Sequence, residues 1–384
     1  MPNNKRIQAK IEAIMNGEAE ASHSGLAAGL RVASMIYSAA VWIRETAYSR
    51  GFLKSKRLAC MVISVGNLSV GGTGKTPMTI YLARLIRSMG YKVVVVSRGY
   101  GGKAEKKGGV VCDGRNLLMS SEESGDEPAM MANQLKSIPV MVGRDRFRSG
   151  TVAIKRFDPD IILLDDGFQH RRLNRDMDIV LMDAEKPLGN GYLLPRGSLR
   201  ESKTALKRCH AVVFTRTDKA GALPFRRFGI PDKNKPVFQS SQKVNVAAIV
   251  KAKPSTTHCN KTADRELDSL SGKKVHAFSG IARNDDFING LEKLGCRVAR
   301  FSAFPDHYRY SHKDMKQIAS QADLERVDCI VTTEKDYFRI PRNTRFSTDL
   351  IVLGTQIHFK DNDFDFFIRS RLAAYFSKKR NAHI

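Results

Sequence analysis

Eleven residues early in the chain, Gly66-Asn-Leu-Ser-Val-Gly-Gly-Thr-Gly-Lys-Thr76, have the composition of a loop that holds phosphate. Gly71, Gly72, Thr73, Gly74, Lys75 and Thr76 are the candidate nucleotide-binding residues. Glycines at 71, 72 and 74 let successive backbone N–H groups turn toward an anion, and a helix starting there adds partial positive charge. Lys75 can reach the β- and γ-phosphates of a nucleotide, and the Thr76 hydroxyl can ligate Mg²⁺. That chemistry is the binding and transfer of a terminal phosphate, with ATP and Mg²⁺ as cofactors. One position departs from the strict pattern: Ser69 stands five residues before Gly74, where a glycine is usual.

A second signal is Ile161-Ile-Leu-Leu-Asp165-Asp166-Gly-Phe-Gln-His170-Arg171. Four apolar residues ending in acids fit a Walker B strand, whose terminal carboxylate holds Mg²⁺ directly or through water. The pattern does not decide between Asp165 and Asp166, and acids at a strand end also serve as turn or cap residues. Gly125-Asp126-Glu127-Pro128 is an acidic pair before a probable helix. Its carboxylates could divide labour between a metal and a substrate hydroxyl, although spacing alone favours N-capping. Phe304-Pro-Asp306-His307-Tyr308 and Thr332-Thr-Glu334-Lys335-Asp336 follow strands; by spacing alone both read as ordinary turns.

The elements that must position these residues read as a doubly wound α/β fold. MVISV (61–65), KVVVVS (92–97), IPVMVG (138–143), DIILLDD (160–166), DIVLMDA (178–184) and CHAVVFT (209–215) are continuous apolar runs. Such runs indicate strands buried on both faces, and helical lengths between them imply a mainly parallel sheet, P-loop NTPase-like in frame. The chain then turns polar, and a second, smaller α/β run follows from 273. The expected division is an N-terminal segment at 1–59, a P-loop kinase domain at 60–235, an interdomain ribbon at 236–272 and a C-terminal α/β domain at 273–384.

Residues Leu26 to Tyr48 predict an amphipathic helix, with Arg31, Ser34, Ser38 and Glu45 near one face and Met35, Ile36, Ala39, Trp42 and Ile43 on the other. Its longest uncharged run, Val32 to Ile43, rises about 18 Å, short of the roughly 30 Å hydrocarbon core. Basic residues follow it, as an interfacial anchor requires; the periodicity equally fits a helix packed on a core. Lysine and arginine total 64 against 39 acidic residues, a net +25, which favours a polyanionic partner. The six cysteines are scattered without a CxxC pair and read as reduced thiols. No secretory leader is recognisable, and the sequence reads as cytoplasmic.

In order along the chain, SVGNLSVGGTGKTP (64–77), SRGYGG (97–102), GDEP (125–128), LLDDGFQHRRL (163–173), GNGYLLPRGSLRE (189–201), FSGIA (278–282), FPDHY (304–308) and TTEKD (332–336) resemble the tetraacyldisaccharide 4'-kinase family. The likeness runs from about Arg50 to about Arg339. It implies transfer of the γ-phosphate of ATP to the 4'-hydroxyl of a tetraacylated glucosamine disaccharide 1-phosphate. The family works at the cytoplasmic face of the inner membrane of Gram-negative bacteria, so the implied partners are the lipid A precursor and an anionic membrane surface. By motif, Asp126 resembles the catalytic base, in a dyad with His307, beside Lys75. Glu127 and Asp165 or Asp166 resemble metal and phosphate-site carboxylates, with Thr76 a metal ligand; His170 and Arg200 resemble further active-site residues. Many relatives have PAGP where this chain has Pro195-Arg196-Gly-Ser198, which leaves Arg196 without an implied role.

Two other readings are compatible with parts of the sequence. A P-loop ATPase or GTPase switch would hydrolyse nucleotide without an acceptor. A nucleic-acid-associated protein would suit the positive charge, but the basic residues are spread out and no nucleic-acid module is recognisable. A base and a histidine on different domains would let closure complete the site.

Overall fold

The computed structural model describes residues 7, 10–15, 17, 25–218, 235–252 and 267–381. Its elements begin with α1 (Gly25–Ser49), β1 (Met61–Asn67), α2 (Lys75–Ser88), β2 (Val93–Ser97), β3 (Gly109–Cys112), α3 (Ser121–Ser124), α4 (Asp126–Gln134) and β4 (Val140–Val142). There follow α5 (Arg146–Phe157), β5 (Ile161–Asp165), β6 (Met177–Asp183), β7 (Ala211–Thr215) and β8 (Val237–Val250). The rest comprises β9 (Lys274–Ser279), α6 (Asn284–Lys293), β10 (Arg297–Ala303), α7 (His312–Leu324), β11 (Cys329–Thr333), α8 (Glu334–Tyr337), β12 (Leu350–Phe359) and α9 (Asp363–Asn381).

The chain divides into two compact units, one of Met1–Arg98, Asp145–Gln242 and Ile357–Ile384, the other of Gly99–Arg144 and Lys243–Gln356. In the first, β8, β7, β6, β1, β5 and β2 lie side by side in that order. Every pair is parallel, with Met61 opposite Ile161 and Ile63 opposite Met177. All residues of β1, β2, β5, β6 and β7 are buried, as the uninterrupted apolar runs require. Helix α5 starts at Asp145, whose carboxylate accepts from the N–H groups of Phe147 and Arg148.

The second unit has its own parallel ribbon, β10, β9, β11 and β12, with β8 beside β12. One apolar cluster around Leu270, Val275, Leu291 and Val331 and another around Phe278, Tyr310, Ile318 and Ile330 pack its two faces. Strands β3 and β4 form an antiparallel pair, Gly109 opposite Val142.

Several expectations are corrected here. The apolar run 138–143 forms β4, which pairs antiparallel with β3 in the second unit. The units are also not serial: 99–144 groups with 243–356, and 357–384 returns to the first unit, instead of division at 235 and 272. Much of the supposed ribbon is regular, because Val237–Val250 is a 14-residue strand in which Gln239 and Lys243 are exposed, Ser240 is buried and Ser241, Gln242 and Asn245 are half-buried; residues 253–266 lie outside the described ones. The acidic stretch 361–365 opens the 19-residue helix α9. Cys60, Cys112, Cys209, Cys296 and Cys329 are free and buried, and Cys259 falls outside the described residues.

Candidate active site

In the first unit the phosphate loop leaves the C-terminal end of β1 and enters α2 at Lys75. Its outer half is pinned as extended chain. Ser69 bridges Leu199, the Val70 N–H donates to the Ser198 carbonyl at 2.7 Å, and the Arg200 N–H donates to the Leu68 carbonyl at 2.6 Å. This accounts for Ser69: positive φ falls on Gly71 (109°) and Gly74 (82°), and not on residue 69. At Gly74 a Cβ would also stand 2.7 Å from the Gln242 amide nitrogen. The Asn67 amide donates to the Thr73 hydroxyl at 2.9 Å, and the Thr215 hydroxyl donates to the Thr73 carbonyl at 3.2 Å. Gly74 offers no side-chain cap, so the first-turn N–H groups of α2 are available to an anion.

At the end of the adjacent strand β5, Asp165 is buried, and its two oxygens accept from the Thr79 hydroxyl (3.1 Å) and the Ser97 hydroxyl (3.2 Å). Asp166 turns out of the strand with φ 51° and pairs with the Arg200 guanidinium at 2.8 Å. Burial would push the Asp166 carboxyl up, but the Lys75 and Arg200 charges outweigh it and hold it below the usual carboxylate range. Lys75, Asp166 and Arg200 thus form one charged group. Gln169 donates to the Asn67 carbonyl at 2.8 Å. His170, in the same turn, hydrogen-bonds to none of these side chains. Burial and the Arg146 charge push its imidazole down to about 4, and its Nε2 is buried without a hydrogen-bond partner.

The second unit gathers a different group. Asp126 is the first residue of α4, and His307 is held at φ 59° in the turn after β10. His307 Nδ1 lies 3.4 Å from Asp126 Oδ2. The same oxygen accepts from Arg339 Nε at 2.8 Å and from an Arg339 terminal nitrogen. Burial alone would raise the Asp126 carboxyl, but the His307 hydrogen bond and the Arg339 and Lys335 charges hold it well below its ordinary value. Glu127 pairs with Lys335 across 2.9 Å, and the two acids keep that lysine protonated against its burial.

The expected arrangement of base and histidine on different domains is therefore corrected: Asp126 and His307 belong to one compact unit. Of the expected metal-site residues, Thr76 and Asp165 are in the first unit and Glu127 in the second. Among the described residues no cluster of three or more His, Cys, Asp or Glu is poised around a metal. The donors at the loop are hard oxygens, a hydroxyl at Thr76 and a carboxylate at Asp165, which suits Mg²⁺ when phosphate oxygens complete its shell.

Sequence reasoning passed over Arg339, Lys335 and Asp336, reading the TTEKD segment as an ordinary charged turn. The available signal was that Asp336 and Arg339 are three residues apart, one turn of helix. Arg196 also gains a contact: its guanidinium donates to the Ala27 carbonyl at 3.2 Å, tying the 189–201 loop to α1. The polar face of α1 turns inward. Ser34 donates to the Leu193 carbonyl (2.8 Å), Tyr37 to the Arg200 carbonyl (3.1 Å), and Glu45 pairs with Arg171 (2.9 Å) and Arg208. Met35, Ile36, Trp42 and Ile43 remain 60–68% exposed.

Comparisons with known proteins agree on one family. The sequence profile described as tetraacyldisaccharide-1-P 4'-kinase matches residues 26–373, from α1 to α9 and beyond the span of the motifs. The tetraacyldisaccharide 4'-kinase of Desulfatibacillum aliphaticivorans is 38% identical over 371 residues, 95% of this chain and 98% of that protein. The enzyme of the same name from Geobacter metallireducens is 41% identical over 317 residues, 81% and 88% of the two chains. Among solved structures, LpxK from Aquifex aeolicus in complex with ATP aligns with a TM-score of 0.69 at 31% identity, covering 90% of this chain and 99% of that one.

Proposed function

Because the chain belongs to the tetraacyldisaccharide-1-P 4'-kinase family, we propose that it phosphorylates the 4'-hydroxyl of a tetraacylated glucosamine disaccharide 1-phosphate, using ATP, in lipid A biosynthesis. The observation that carries this reading is the phosphate loop, complete at Lys75 and Thr76 and flanked by the Asp166–Arg200 pair, in a chain matched over nearly its whole length by 4'-kinases.

In this mechanism the N–H groups of residues 71–76 and Lys75 grip the β- and γ-phosphates. Arg200, anchored by Asp166, adds a further positive group near Lys75. Thr76 and Asp165 would hold Mg²⁺, which when bound would supply neutralisation of phosphate charge. Each Asp165 oxygen accepts a hydroxyl hydrogen bond, and a carboxylate oxygen has a second lone pair. Glu127, another expected ligand, would first have to leave Lys335. His170, neutral near pH 7, lends no charge to the nucleotide.

The sugar oxygen attacks the γ-phosphorus, the bond from that phosphorus to the bridging oxygen breaks, and the electron pair leaves with ADP. The hydroxyl proton passes to Asp126, ionised at neutral pH and oriented by His307. A weakly basic carboxylate suffices, because a loose phosphoryl-transfer transition state puts little negative charge on the attacking oxygen before the proton moves.

The exposed stripe on α1, with Phe52 and Leu53 beyond it, suits a helix lying in the interface of an anionic membrane at the cytoplasmic face. By length and apolarity alone Gly25–Ser49 could span a bilayer; its hydrogen bonds and ion pairs to folded chain favour the surface position. Replacing Ile36 and Trp42 together by serine should weaken binding to phosphatidylglycerol vesicles about 10- to 100-fold; undiminished co-sedimentation would remove this part of the reading.

Incubation with γ-labelled ATP, Mg²⁺ and the disaccharide 1-phosphate tests the activity. Label should move to the lipid. ATP hydrolysis indifferent to the acceptor would instead favour a nucleotide switch.

A further inference from the structure

We propose that Arg339 is the positioning residue of the acid–base centre: together with His307 it occupies Asp126 Oδ2 and leaves Oδ1 to take the sugar proton. This rests on the reading of Asp126 as the base and adds to it which oxygen acts and what fixes it.

Arg339 lies two residues beyond α8, and its side chain is only 5% exposed. One edge of the guanidinium faces Asp126, where Nε donates to Oδ2 at 2.8 Å and a terminal nitrogen meets the same oxygen. The other terminal nitrogen, Nη1, is fastened twice, to the Gly280 carbonyl at 2.8 Å and to Asp336 Oδ1 at 3.2 Å. A guanidinium is planar, so fixing one corner and one edge fixes the direction of every donor it carries.

The fastening is itself rigid. Asp336 is fully buried; Oδ1 accepts from the Tyr310 hydroxyl (2.9 Å) and the Gly280 N–H (3.0 Å), and Oδ2 from the Thr333 hydroxyl (2.6 Å). The Gly280 carbonyl also accepts the backbone N–H of His307 at 3.2 Å, so one carbonyl locates both groups that approach Asp126. Gly280 cannot carry a side chain there without meeting the Pro305 carbonyl at 2.9 Å and Asp336 Oδ1 at 3.3 Å.

His307 Nδ1 stands 3.4 Å from the same Asp126 oxygen and 3.3 Å from an Arg339 terminal nitrogen, and both described hydrogen bonds to the Asp126 side chain, from Arg339, fall on Oδ2. The side chain is 11% exposed, so Oδ1 is the atom left for an incoming hydroxyl. A lysine at 339 would keep the charge but offer a single rotating point donor, without the fixed edge that selects one oxygen.

The test compares full-length Arg339→Met, Arg339→Lys, Asp126→Asn and the Asp126→Asn/Arg339→Met double variant, in kcat, both KM values, ATP affinity and thermal midpoint. Arg339→Met should lose about 100-fold in kcat, the cost of a misplaced catalytic group, with both KM values and ATP affinity within about threefold. Arg339→Lys should recover less than a tenth of the loss, and the double variant should be no slower than Asp126→Asn alone. Tyr310→Phe, which removes one support of Asp336 without touching charge, should lower kcat about three- to tenfold; it also serves if Arg339→Met does not fold. Near-wild-type kcat in Arg339→Met, full rescue by lysine, multiplicative losses in the double variant, or an unchanged Tyr310→Phe would each overturn the proposal. If Asp126→Asn is slow and Arg339→Met is not, only the positioning role falls. If Asp126→Asn itself turns over normally, the base assignment falls and takes this role with it.

Discussion

The two chemical centres are built from different materials. The phosphate loop is made mostly of main chain: N–H groups at a helix start, two glycines at positive φ, and a strand edge sewn to residues 198–200 by backbone hydrogen bonds. The Asp126 centre is made almost entirely of side chains, drawn from positions 126, 307, 310, 333, 336 and 339. A main-chain site tolerates changes of side chain wherever φ and space allow. A site made of ion pairs loses its geometry with any one member. Binding should therefore be robust and turnover fragile.

The largest effect separates the two. Lys75→Ala should lower kcat/KM by about 10³-fold and weaken ATP binding as well. Asp126→Asn should lower kcat by roughly 10²- to 10⁴-fold while ATP binds as before. Calorimetric titration with a non-hydrolysable ATP analogue would merge the two centres into one if both variants lost affinity equally.

Gly74→Ala comes next. Left-handed backbone costs a non-glycine residue about 1–2 kcal/mol, and the new methyl meets Gln242. Thermal midpoint and nucleotide affinity should both fall; an alanine as good as glycine there would show that the loop does not depend on its backbone.

A smaller effect concerns pH. His170 has a folded-state value near 4 against 6.5 in the unfolded chain, so protons favour unfolding between those values. Stability should fall as pH drops from 6.5 to 4, by on the order of 1–2 kcal/mol after allowance for partial exposure. His170→Gln should flatten that slope in denaturant melts at several pH values; an unchanged slope would assign it to other groups. Smallest of all, Ser69→Gly restores the strict loop pattern and should gain nothing, with stability within about 1 kcal/mol and ATP affinity unaltered. Tighter ATP binding would mean that residue 69 does hold a strained backbone.

The same contrast explains what could be read from sequence. The phosphate loop and its strands are local: composition, spacing and uninterrupted apolar runs report them directly, and the parallel sheet follows. Asp126 and His307 were reached only through resemblance, because 181 positions separate them in the chain. Arg339 and Asp336 were missed, since a charged turn looks the same whether its aspartate faces water or is buried under Tyr310. Strand β8 is hidden by its Gln, Ser, Lys and Asn content, which a strand that is only partly covered accommodates: Gln239 and Lys243 are exposed, and Ser241, Gln242 and Asn245 half-buried. The discontinuous units could not be foreseen, because the grouping of 99–144 with 243–356 is made by ion pairs and hydrogen bonds such as Lys335 to Glu127 and Gln134 to Glu334, and not by any local pattern.

Helix α1 has already committed its polar side to the protein through Ser34, Tyr37 and Glu45. It cannot roll over to hide Met35, Ile36, Trp42 and Ile43 when no lipid is near. In plain buffer those side chains must face water or another copy of themselves, so concentrating the enzyme without detergent should drive reversible clustering, visible by light scattering and dispersed by a mild surfactant.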